Sequence, residues 1–83
     1  MRNKTIVRNP VAFRLGSGNA THRILWRDLV SARVGDKWTT YHSDNNSELV
    51  ATLAYRDDYC NAILVVQNLA RPHLIRTVKF FLG

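Results

Sequence analysis

The densest cluster of chemistry-bearing side chains in the chain is Arg56-Asp57-Asp58-Tyr59-Cys60-Asn61. Two adjacent carboxylates invite a general acid–base reading. Neighbours in a tight loop point apart, however, and Asp and Asn at such positions bond to their own backbone, so the run reads first as loop chemistry. His22, His42 and His73 are scattered, without the spacing of metal ligands, and the single Cys60 leaves neither a thiolate zinc set nor an intramolecular disulfide. Dinucleotide-binding, Walker, nucleophile-elbow and His-Glu-x-x-His motifs are all absent. No catalytic residue, metal or cofactor is expected, and the chain does not read as an enzyme.

The charge pattern points to a partner. The chain carries 12 Lys and Arg against 6 Asp and Glu, for a net +6. Residues 1–34 hold seven bases (Arg2, Lys4, Arg8, Arg14, Arg23, Arg27, Arg33) and one acid, Asp28; the middle is acidic, and Arg71, Arg76 and Lys79 make the tail basic again. Nine of the twelve bases are Arg, whose planar fork suits phosphate and base stacking. A polyanion partner is the functional reading; a solvated basic face is the plain one. With one cysteine, no apolar leader and no apolar run beyond Ala62 to Val66, the expectation is a cytoplasmic, soluble protein with no membrane partner.

These residues must be positioned by one small domain, since 83 residues is below the usual size of two. Residues 1–20, with Pro10 and a Gly16-Ser17-Gly18-Asn19 turn, read as an arm or extra strand in which Val11, Phe13 and Leu15 alternate. Thr21 as a cap, Leu25, Leu29 and Ala32 at helical spacing, and Gly35 as a stop predict a helix over 22–34, with Arg23 and Arg27 on its exposed side as phosphate-steering groups. The period then shifts to two. Strands are predicted at 38–42, 48–55 (Leu49, Ala51, Leu53 and Tyr55 on one face), 60–66 (apolar enough to be covered on both faces), 69–75 and 78–82. The β-branched run Ile63, Val65, Val66 argues against one helix over 47–69.

The stretch Asp57-Asp58-Tyr59-Cys60-Asn61, between two apolar strands, resembles the first signature of the Sm, Lsm and Hfq family: Asp, any residue, an aromatic, an apolar residue, Asn. Leu74-Ile75-Arg76-Thr77 resembles the Ile-Arg-Gly core of the second signature, and His73-Leu74-Ile75-Arg76-Thr77-Val78 resembles the corresponding Hfq stretch. The sequence departs from the family at Ala51, at Pro72 and at Thr77, where Gly, Lys and Gly are usual. The resemblance spans roughly residues 22–82 and implies a Sm-like domain over 21–83, mostly β with one N-terminal helix: a Sm-like, SH3-type, strongly bent five-stranded antiparallel sheet.

It also implies a homo-oligomeric ring of five to seven subunits that binds single-stranded U- or A-rich RNA. In that ring Tyr59 would stack on a base, Asn61 would read its edge, Arg76 from the neighbouring loop would close the other face, Asp57 would hold the loop, and His73 would join the RNA-binding set. Each has a plain counterpart: Tyr59 at the rim of a core, Asn61 as a turn former, Arg76 as a surface charge. The rival class is a small basic interaction module, such as a phage or mobile-element factor that binds or inhibits a host protein.

Overall fold

The computed structural model describes residues 11–16, 21–42 and 47–82. Their fold is mostly β. Strands β1 (Val11–Leu15) and β2 (His22–Leu25) form an antiparallel hairpin, followed by a five-residue helix, α1 (Trp26–Val30). Then β3 (Lys37–His42), β4 (Ser47–Arg56), β5 (Asn61–Asn68) and β6 (Ile75–Phe81) form a four-stranded antiparallel meander in chain order.

The helix expected over 22–34 is therefore mostly absent. Its first residues are a strand: His22, Arg23, Ile24 and Leu25 pair with Leu15, Arg14, Phe13 and Val11. Cross-strand pairing and complete burial of the β-branched Ile24 override a helical spacing that Leu25, Leu29 and Ala32 satisfy on paper. Only Trp26–Val30 is helical, and Ser31 ends it, with both its N–H and its hydroxyl donating to the Arg27 carbonyl. Gly35, at φ +102°, then donates its N–H to the Leu53 carbonyl at 2.8 Å, while Leu53 donates to Asp36 O at 2.9 Å, so the link into β3 is tied to β4. The final pair of expected strands is also corrected. Residues 69–74 form a loop folded on Asn68, whose Oδ1 accepts the N–H groups of Ala70 and Arg71, and a single strand, β6, replaces 69–75 and 78–82. Pro72, with no N–H for a ladder, lies in that loop.

The hairpin and α1 cover one face of the meander. Leu15, Ile24 and Leu29 are buried with Leu53 and Leu64, and around them lie Ala32, Ala51, Ala62, Val66 and Leu82. Phe13 meets Phe80 edge to face at 6.1 Å across the layers. The opposite, outer face is open: Ile63 and Val65 are half-buried, so β5 is not covered on both sides, and Tyr41, Tyr55, Ile75 and Phe81 are exposed.

One irregularity decides which residues share that outer face. In β4, Leu53 pairs with Leu64, but Tyr55 pairs with Ile63, so Ala54 is an extra residue, a β-bulge. Because side chains alternate with a period of two, one inserted residue moves everything after it to the other face. Leu49, Ala51 and Leu53 turn inward as expected. Tyr55 turns outward, and Arg56 turns inward, where its Nη1 donates to the Ala32 carbonyl at 2.7 Å.

The two faces should differ in what truncation costs. Leu53→Ala or Leu64→Ala, each at a fully buried position, is expected to lower unfolding free energy by about 2–5 kcal/mol. Ile63→Ala on the open face should cost clearly less, and equal urea midpoints for the three variants would contradict the assigned faces.

Candidate nucleic-acid interface

The β4–β5 loop is organised by one carboxylate. Asp57 Oδ1 accepts the backbone N–H of Tyr59 (2.9 Å) and of Asn61 (3.0 Å), while Oδ2 accepts the Tyr55 hydroxyl (2.8 Å) and the Asn61 side-chain amide (3.2 Å). Backbone bonds from Asp57 N–H to Asn61 O and from Cys60 N–H to Asp57 O close the turn, with Cys60 in the left-handed region at φ +70°. Partial desolvation pushes the Asp57 carboxyl up. The bonds from Asn61, Tyr55 and Tyr59 outweigh it and hold the group below its ordinary value. For the same reason Tyr55 is raised: its hydroxyl donates to Asp57, and partial burial and the carboxylate charge act in the same direction.

Beside this loop the bulge places a row of side chains across three strands of the outer face: Tyr55 on β4, Ile63 on β5 and Lys79 on β6. Asn61 and Phe81 form the next pair along. A shallow cavity of about 290 Å³ is lined by Tyr55, Asp57, Asn61, Ile63, Lys79 and Phe80. An aromatic ring, an apolar floor, a cation and an amide thus meet in a space about the size of one nucleotide base with its phosphate. Tyr59 stands just outside, 80% exposed at the loop tip.

Asp57, Tyr59 and Asn61 are brought together as the sequence suggests. Arg76 and His73 are not. Arg76 pairs with Val66 within β6, and Asn61 lies at the other end of β5, about 17 Å away at the rise of a strand. The Arg76 guanidinium sits 5.3 Å over the Phe13 ring, and His73 is in the 69–74 loop at that same far end. Arg23 and Arg27 are both exposed but lie in β2 and α1, not on one helical face. Sequence reasoning missed Tyr55 and Lys79: the alternation of β4 puts Tyr55 on the core side, and only the bulge turns it out. Among the described residues no group of three or more His, Cys, Asp or Glu could hold a metal ion, and no helix is long and apolar enough to cross a membrane.

No protein-family model, curated protein or solved structure matches the chain.

Asp57 supplies a pH test. Its native pKa lies below the ordinary 3.8, so the stability it contributes is present above that value and is lost as pH falls through the lower native one. In acid titrations followed by urea midpoint, the wild-type chain should lose stability across that window faster than Asp57→Asn. Parallel curves would mean that the carboxylate does not hold the loop.

Proposed function

We propose that the chain binds single-stranded RNA without catalysing a reaction, with one nucleotide held at the Asp57 loop and the adjoining outer face. The observation that carries this reading is the row Tyr55, Ile63, Lys79 beside Asn61, in a chain of net +6. A base lies on Tyr55 and the Ile63 floor, the Asn61 amide faces its edge, Lys79 meets the phosphate, and Tyr59 offers a second stacking surface. Asp57 positions all of this without touching the base. Such contacts tolerate many sequences, because every base has a face to stack and every nucleotide a phosphate. The preference for U- or A-rich strands comes from the resemblance to the Sm, Lsm and Hfq family; the site itself has one amide with which to tell bases apart.

The proposed assembly is the Sm-like ring of five to seven copies, built from a bent sheet of that type. Its support is that β3 and β6 are the outer strands of the meander, each with an edge that a neighbouring copy can extend. A ring repeats a weak pocket and raises its effective affinity for one strand. Arg76 and His73, remote from the pocket of their own chain, belong to this proposal only as groups supplied by a neighbour. The second reading, a basic module that docks on a host protein, is favoured by the exposed Tyr41, Ile75 and Phe81 on the same face.

Fluorescence anisotropy with labelled oligo-U and oligo-A, beside light scattering of the protein alone, tests both parts. Tyr59→Ala should weaken binding by roughly 5- to 150-fold, the equivalent of about 1–3 kcal/mol per stacked base. Lys79→Gln should flatten the log–log salt dependence by about 0.7 per phosphate contact. Light scattering should give a closed oligomer. Unchanged affinity in both variants would remove RNA from this face, and a monodisperse monomer would remove the ring.

A further inference from the structure

The hairpin carries an unusual pair. Arg14 on β1 and Arg23 on β2 are direct cross-strand partners, and both are exposed. Residues directly opposite in an antiparallel pair share a face, with Cβ atoms about 4.5–5.5 Å apart, and like charges there repel. The hairpin supplies no counter-charge of its own: the first acid in the sequence is Asp28, so the 27 residues that include both strands hold six bases and no carboxylate. Among the described residues, no hydrogen bond or ion pair engages either guanidinium. The rows on either side of this pair, Leu15 with His22 and Phe13 with Ile24, contain the buried Leu15 and Ile24, so the two arginines project from the solvent side of the hairpin. That side is across the two layers from the cavity at Asp57.

We propose that Arg14 and Arg23 form a phosphate clamp on the outer side of the hairpin, a second anion site separate from the nucleotide cavity. Two planar forks on one face offer more donors than a phosphate group has oxygens to accept them, and a guanidinium bonds phosphate bidentately. A bound phosphate removes the repulsion that the empty pair imposes, so the site is less stable unliganded than its neutral variants. The phosphate comes either from solution or from the backbone of a strand long enough to pass from one face of the molecule to the other. Only the second source rests on the RNA-binding reading.

Inorganic phosphate is the first probe, used in thermal unfolding against chloride at matched ionic strength. Wild-type Tm should rise with phosphate beyond any rise in Arg14→Gln/Arg23→Gln, which removes the general stabilising effect of the salt from the comparison. Without phosphate and at low salt, Arg14→Gln should itself raise Tm, by roughly 2–4 °C, by ending the repulsion. Arg14→Lys/Arg23→Lys keeps the charges and loses the forks, so its phosphate-dependent rise should be reduced well below that of wild type. The second probe is oligo-U of 4 and of 20 nucleotides. The double Gln variant should bind the short strand as wild type does, and should bind the long one more weakly, with a salt slope flatter by about 1.4. A phosphate-dependent rise in Tm equal in wild type and the double Gln variant would overturn the clamp. A clamp that binds phosphate but leaves the 20-mer unaffected would overturn the RNA backbone as its source. Failure of the Asp57 site would instead appear as loss of short-strand binding altogether.

Discussion

The arrangement of the candidate site depends on one extra residue. Without the bulge at Ala54, the alternation that buries Ala51 and Leu53 would carry Tyr55 into the core side and Arg56 to the outside. With it, Tyr55 reaches the open face with its hydroxyl on Asp57, and Arg56 reaches inward to tie down the Ala32 carbonyl. The bulge therefore does two things at once. It joins the end of β4 to the segment after α1, and it turns the Tyr55 ring to the cavity. Bulges recur where a strand must redirect a side chain, and here the redirected side chain belongs to the best-formed polar network in the described residues.

Asp57 completes what the bulge begins. Four donors converge on its two oxygens, from the strand before the loop, the loop tip and the strand after it. A carboxylate so engaged, with each oxygen accepting two donors, orders its loop. It also gives Tyr59 its setting: a large ring, 80% exposed, on a loop tied at both ends. Among the described residues, cations stand on both outer sides of the two layers. Lys79 stands by the cavity on the meander, and Arg14 and Arg23 stand on the hairpin.

Much of this was legible in the sequence where local chemistry decides the outcome. Asp57 and Asn61 read as loop formers, and the period-two runs read as β3, β4 and β5, whereas Gly35, read as a helix stop, lies beyond a helix that ends at Val30. Where tertiary contacts decide, the reading ran out. Leu25, Leu29 and Ala32 mimic a helical stripe, but Ile24 is worth more as a buried strand residue facing Phe13. The bulge leaves no mark in composition, since Leu49, Ala51, Leu53 and Tyr55 alternate without a break. Arg76 and Thr77 resemble a loop signature by residue type, yet they sit in the ladder opposite Val66 and Val65. The Arg14–Arg23 pair could not be read at all until residues 22–25 were seen as a strand, because register, not spacing, brings them together.

Whether a nucleotide occupies the Asp57 end of the outer face is read from ultraviolet crosslinking of short oligo-U to the protein, with adducts located by peptide mass spectrometry. Saturable adducts at Tyr55, Tyr59 or Phe81, competed by unlabelled oligo-U, are expected. Adducts confined to Phe13, Trp26 or Trp38, or none that saturate, would contradict that placement.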